Sequence, residues 1–432
     1  MRHVASAPLG AGAGPEIQGV QLVAERGWES ALVVVVTIVF ATSVIEIFLS
    51  LGEGGASYPV QVRLAFLMAY AIFGGLLLLA RDPPWMLLLA APLLVLVLAM
   101  PAISMLWSVD PRETVERSVA LVGSSIFGAY LGWRFTLGRL VFLLAVGMSI
   151  AVCLSLVVIV LLPSVGIKQG GQWAGSWQGV HFHKNGLGWA ASLTCILTGY
   201  ATADNRGLAR LGFAGAFLVA ALLLVGSNST GALLSFVVMG GLALWARYLQ
   251  LLPKQIPVLS LIAVFAALTI GVQAIGMDLI ESALAALGKS SDLSSRVPLW
   301  SIVWGFIEQR FWLGYGYEAF WQPDSPPVRL VASKLYFVPF YSHNGLLETW
   351  LNGGLVLVVL VLMLILSVLT KSTMLFVRWR TLAVSSFPLV FCGYFLMANF
   401  AESVILARNN LIWAIFVAVA VFVGKWVRVR AI

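Results

Sequence analysis

Charge is scarce in this sequence. Only 10% of its 432 residues are Asp, Glu, Lys or Arg, while 60% are hydrophobic. Soluble domains carry about 25% charged residues, so a water-soluble globular fold is excluded. Cysteine is scarcer still. Cys153, Cys195 and Cys392 each stand alone inside an apolar run, which gives neither a disulfide framework nor a metal-ligand spacing. Histidine is limited to His3, His181, His183 and His343. The His181-x-His183 pair has no third ligand at a suitable spacing, which argues against zinc. There is no internal repeat and no matched pair of broken apolar segments, the mark of transporters built from inverted repeats. Residues 1–19 are small and Gly-rich and lack the apolar core of a cleavable signal. Residues 1–30 read as a disordered cytoplasmic tail.

What the chain does have is long apolar runs. A run of about 20 residues crosses a bilayer as a helix. Twelve candidate spans follow: 31–51, 63–80, 85–107, 118–133, 140–162, 186–203, 208–226, 230–249, 256–276, 346–369, 382–400 and 409–426. The run 118–133 is the shortest. The expected fold is therefore all-α, a polytopic integral membrane protein of about twelve transmembrane helices. Residues 31–276 hold helices one to nine, 277–342 form one long extracytoplasmic loop, and 343–432 hold helices ten to twelve with a short tail.

Orientation follows from lysine and arginine, which concentrate on the cytoplasmic side. An even number of spans puts both termini on one side. That side collects most of the basic residues, among them Arg26, Arg81, Arg134, Arg139, Arg206, Arg210, Arg378 and Lys425, with few acids. Both termini are expected in the cytoplasm and the long loop outside. The net charge of +8 reflects this bias, and no basic-aromatic pattern indicates a nucleic-acid partner. The long loop contains a helical stretch, MDLIESALAALGK, and an aromatic stretch ending LGYGYEAFW. Its aromatics could float on the membrane interface or form a sugar-stacking wall.

Polar chemistry concentrates in two stretches at the outer ends of spans. Residues 179–188 read GVHFHKNGLG, and residues 342–348 read SHNGLLE. In the first, Asn185 is placed to cap the following helix. Lys184 adds charge to the helix N-terminus, which suits an anion. His181 and His183 share a face if the loop is extended. The bland alternative is a polar loop that only caps a helix. In the second, His343 precedes the capping candidate Asn344, with Glu348 a turn later. Histidine titrates near neutrality and is suited to be a general base toward a hydroxyl, or else simply ends a helix. Arg296 lies in the loop within SSRVPLW, and an arginine fork suits phosphate oxygens. Glu46 is an acid within the first span and so a functional candidate, unless it snorkels outward. Glu402 and Arg408 flank the last outer loop and are placed to pair. Arg408 is a further phosphate candidate.

The SSR-x-x-x-W segment, LGYGYEAFW and SHNGLLETWLNGG together resemble the O-antigen ligase and O-antigen polymerase superfamily. GVHFHKNGLG resembles its exopolysaccharide polymerase branch. The resemblance implies a glycosyltransferase that needs neither metal nor cofactor and sits in the bacterial cytoplasmic membrane with its site facing the periplasm. Its expected partners are a polyprenyl-diphosphate-linked glycan donor, a glycan or lipid-linked acceptor, the bilayer and other polysaccharide export proteins. It implies His343 as base and Arg296 as diphosphate ligand, in agreement with the chemistry of those residues. One departure stands out. Where many members carry an arginine near span eight, this chain has Ser227, Asn228, Ser229 and Thr230. Lys184 is the candidate replacement. Three other readings stay open: a ligase acting on a lipid A-core acceptor, a polysaccharide transporter or flippase, and a non-catalytic scaffold of an export complex.

Overall fold

The computed structural model describes residues 26–45, 47, 60–80, 84–171, 173–250, 296–322, 325–335, 339–379 and 382–428. Among these residues the regular structure is helical, apart from one isolated bridge between Ile167 and Trp177. Apart from a single helical turn at Pro163–Gly166, the α-helices are α1 (Gly27–Ala41), α2 (Val60–Leu78), α3 (Pro84–Ala90), α4 (Pro92–Ile103), α5 (Pro111–Arg134), α6 (Leu137–Leu161) and α7 (Lys184–Asp204). They continue with α8 (Gly207–Gly226), α9 (Thr230–Leu249), α10 (Arg296–Gln309), α11 (Pro326–Leu335), α12 (Gly345–Arg378), α13 (Phe387–Ala401) and α14 (Leu411–Arg428). Among the described residues, seven helical segments are long and apolar enough to cross a membrane: α2, α6, α8, α9, α12, α13 with its preceding turn, and α14. Helix α1 and the segment Pro92–Leu106 are apolar but shorter. Large apolar side chains such as Leu161, Leu218, Leu244 and Leu366 point outward, uncovered by protein, as lipid-facing residues do. The chain is an all-α polytopic membrane protein.

Several expected boundaries move, each for a local reason. The run 85–107 is broken at Ala91 (φ −136°, ψ 62°), ahead of Pro92, because proline disfavours helical geometry in the residue before it. The short run 118–133 is part of a 24-residue helix. Asp110 caps it by accepting from the Glu113 N–H at 3.1 Å, and its charged first turns are internally paired, Arg117 to Glu113 at 2.7 Å. The run 346–369 extends to Arg378 but is interrupted at Gly353 and Gly354. Gly354 has φ +66°, and a side chain there would strike the Trp312 backbone. The break admits a loop: Leu355 N–H donates to Phe311 O at 2.9 Å and Tyr315 N–H to Leu351 O at 2.7 Å. The expected span 256–276, the helical stretch 277–289 and Glu46 lie outside the described residues.

Helix α14 runs through the centre, with most of its residues buried. It packs closely on α5 because Gly128 and Gly132 leave room for the carbonyls of Ala414 and Ala418, the small-residue packing of membrane helices. At the end of the bundle that holds the α6 N-terminus, Arg134 pairs with Glu29 at 2.9 Å and Lys425 donates to Trp133 O at 2.9 Å. Much of the aromatic loop packs on itself. Phe306, Tyr315, Phe320 and Trp321 are buried with Leu299, Val303 and Leu351 in a second small core. Trp304, Trp312 and Phe340 stay exposed.

Candidate functional site

The end of the bundle opposite Arg134 gathers residues from distant parts of the sequence around one carboxylate, Glu402. Its Oε2 lies 3.2 Å from His343 Nδ1 and accepts from Tyr341 Oη at 3.2 Å. Its Oε1 accepts from Asn185 Nδ2 at 3.2 Å and lies 3.6 Å from Arg296 Nη2. The turn that carries Glu402 is held by Asn399, whose Oδ1 accepts from Val404 N–H at 3.0 Å and Ile405 N–H at 2.8 Å. Burial alone would push the Glu402 carboxyl up. The His343 hydrogen bond, together with the His343 and Arg296 charges, outweighs burial and holds it below the usual carboxylate value. Glu402 is therefore ionised at neutral pH. Burial, reinforced by the Glu402 charge, pushes the Tyr341 phenol up, so Tyr341 acts as a donor.

His343 sits in a shaped turn. Its φ is +52°, the left-handed region that histidine visits more than most residues. Glu348 holds this turn from below by accepting from Ser342 N–H at 2.8 Å and from Trp321 Nε1 at 3.0 Å. Asn344 caps α12 through Leu346 N–H at 3.0 Å and Leu347 N–H at 3.1 Å. A carboxylate can only accept, so the His343 Nδ1 carries the proton in this pair, and Nε2 is the ring nitrogen left to meet a substrate.

Arg296 opens α10 and is buried, its side chain only 9% exposed. It donates to the Ala401 carbonyl as well as facing Glu402. The expected pairing of Glu402 with Arg408 does not occur. Arg408 Nε donates to Glu318 Oε2 at 2.8 Å, with Arg117 Nη1 3.4 Å from the same oxygen. Asn185 is not the cap of its helix either. His183 takes that role, with Nδ1 accepting from Asn185 N–H at 3.2 Å, which frees the Asn185 amide for Glu402. Lys184 is buried rather than displayed. Its Nζ donates to Asn228 O at 3.0 Å and lies 5.5 Å from the Trp173 ring centroid. It thus reaches the segment in which an arginine was expected. His181 is buried, which lowers its imidazole to about 4, so it is neutral.

The structure brings His343, Arg296, Asn185, Glu348 and Asn344 to one place through direct contacts or one turn of helix, and sets Lys184 and Arg408 against other partners. Glu402 as the hub and Tyr341 as its donor were not read from the sequence. The signal for Glu402 was a lone acid in a short turn between apolar runs.

Comparison with known proteins gives two findings. Residues 215–362 match the family model described as O-antigen ligase, and this segment contains Arg296 and His343. The chain is also 30% identical over 203 residues to the "Exopolysaccharide production protein ExoQ" of Rhizobium meliloti (strain 1021), covering 44% of this chain and 46% of that protein. The match thus spans less than half of the relative's length. Both findings support the O-antigen ligase and polymerase superfamily as the group this chain resembles.

Proposed function

We propose that the chain is a glycosyltransferase of the bacterial cytoplasmic membrane, with its site on the periplasmic side. It moves a glycan from a polyprenyl-diphosphate carrier to an acceptor hydroxyl and so polymerises exopolysaccharide or O-antigen repeat units. The observation that carries this reading is the His343–Glu402 contact of 3.2 Å with Arg296 beside it. Glu402 holds the imidazole by its Nδ1–H, and His343 Nε2 takes the proton of the acceptor hydroxyl. That oxygen bonds to the anomeric carbon, the bond from this carbon to the diphosphate oxygen breaks, and the diphosphate leaves on its carrier. The developing charge needs fixed cations. Arg296, Lys184 and Arg408 are the candidates, Arg408 being the most open with its side chain 32% exposed. No metal is invoked.

Attachment to a lipid A-core acceptor is the second reading, favoured by the description of the matched family segment. A transporter would need charges along the whole membrane path, whereas the candidate residues here meet at one end.

The test is glycan transfer by the purified chain in nanodiscs, with an extracted lipid-linked donor and a chelator present. His343→Ala should lose most of the turnover and keep donor binding. Equal turnover by the variant would refute His343 as base, and strict dependence on an added divalent ion would refute the metal-free reaction. In cells, gene loss should leave single unpolymerised repeat units. Full chains left unattached to their acceptor would favour the ligase.

A further inference from the structure

A cavity of about 370 Å³ opens between α1, α6, α7 and the segment 402–412. His181, His183, Glu402 and Asn410 line it together with Phe40 and Trp189. Among the described residues that line it, none is lysine or arginine. Building on the transfer reaction proposed above, we infer that this cavity is the acceptor subsite and takes a neutral, hydroxyl-bearing sugar ring.

Four features point this way. The wall holds the Glu402 carboxylate and, among its described residues, no lysine or arginine, and Arg296 is already turned to that carboxylate, so the wall offers a diphosphate no cation of its own. The polar groups are hydrogen-bonding ones spread around the wall, and neutral His181 offers one donor and one acceptor. Phe40 and Trp189 supply flat apolar surface for the C–H faces of a sugar. The volume lies near the lower end of the ~300–1,000 Å³ usual for ligand pockets, enough for a terminal sugar and too small for a long lipid chain. The position is also right. Tyr341 and Glu402 form part of the wall, and His343 is one hydrogen bond beyond them at 3.2 Å. A ring seated here rests against Glu402 and Tyr341, both of which contact His343.

The test uses the full chain in lipid nanodiscs with the polyprenyl-diphosphate glycan extracted from producing cells. Photoreactive p-azidophenylalanine replaces Ala190 in one variant and Leu193 in another, both cavity residues. The expected adduct carries sugar and survives excess inorganic pyrophosphate. An adduct of phospholipid alone, capture that pyrophosphate abolishes, or no adduct in two folded variants would each overturn the assignment. Separately, Ala190→Phe should raise the acceptor KM at least tenfold and leave inhibition by pyrophosphate unchanged. The opposite pattern would move the diphosphate into the cavity, and an unchanged acceptor KM would remove the acceptor from it. Absence of transfer by the unmodified chain would instead reject the reaction itself, so the two failures are separable.

Discussion

His343 Nδ1 and Glu402 Oε2 stand 3.2 Å apart, although one residue precedes α12 and the other follows α13. Glu402 is also the meeting point of Arg296, Tyr341 and Asn185. A buried carboxylate with so many donors is held by its surroundings and in turn holds the imidazole. Burying charges is tolerable only when each is paired and hydrogen-bonded, and here every oxygen of Glu402 has at least two partners.

The pair should behave as a unit. General base catalysis contributes about 10²–10⁴-fold, so His343→Ala should lose turnover in that range. Glu402→Gln keeps an acceptor oxygen but removes the charge, and should lose roughly tenfold or more in kcat with little change in donor binding. The double variant should be no slower than His343→Ala alone, since groups that act together are non-additive. Measured kcat values for the three variants decide this. Simple multiplication of the two losses would show that Glu402 acts independently of His343.

Arginine at position 296 should not be replaceable by lysine. The guanidinium serves the Ala401 carbonyl and Glu402 at once, which a single ammonium on a different stem cannot reproduce. Arg296→Lys should therefore lose at least tenfold in kcat/KM for the lipid-linked donor, and Arg296→Ala more. Full donor use by Arg296→Lys in a folded preparation would mean that only charge is needed there.

A methyl group can test the support of the Glu402 turn. A side chain at Gly345 would collide with Asn399 Oδ1, the acceptor that organises Val404 and Ile405. Gly345→Ala should cut turnover about as severely as Glu402→Gln, although it touches no substrate. It should also lower the thermal midpoint, because a buried hydrogen-bond acceptor displaced from its donors costs about 1–3 kcal/mol. An active, stable Gly345→Ala would show that the turn can shift without moving Glu402.

The apolar spans were legible because their lengths follow from bilayer thickness. Helix α5 was read too short because Arg112, Glu113, Glu116 and Arg117 look like a loop until their pairing along the helix is seen. The two histidine stretches fall at the same end of the bundle. The hub was not legible, since nothing local to Glu402 shows that its partners come from the first turns of α7 and α10 and the turn before α12 rather than from nearby Arg408. The packing of the aromatic loop was illegible for the same reason. Composition reports that aromatics are present but not that they fill a core with each other.

Acid should weaken the fold through His181. Burial lowers this imidazole from 6.5 to about 4, so the folded state refuses a proton that the unfolded state accepts. Stability from this group is complete above about pH 6.5 and declines as pH falls toward 4. At about 1.4 kcal/mol per unit, the decline is on the order of 3 kcal/mol. The thermal midpoints of the unmodified chain and of His181→Gln in detergent should diverge below pH 6.5, the variant keeping more of its pH 8 stability, and parallel curves would remove His181 from the acid response.

Orientation can be tested chemically. The distribution of basic residues leads us to expect Arg206 in the cytoplasm and Phe340 outside, and both positions are exposed at opposite ends of the bundle. Cys153 is the exposed native cysteine among the described residues, so Cys153→Ser provides the background. In that background Phe340→Cys should react with an impermeant maleimide added to intact spheroplasts, and Arg206→Cys should react only after the membrane is opened. The proposed site requires this result, because a lipid-linked glycan presented in the outer leaflet can reach His343 only if Phe340 and Tyr341 lie on that side. Labelling of Arg206→Cys in sealed cells with protection of Phe340→Cys would invert the protein and place the His343–Glu402 pair in the cytoplasm. Such a result would leave the hydrogen-bonded geometry intact and still exclude a donor in the outer leaflet.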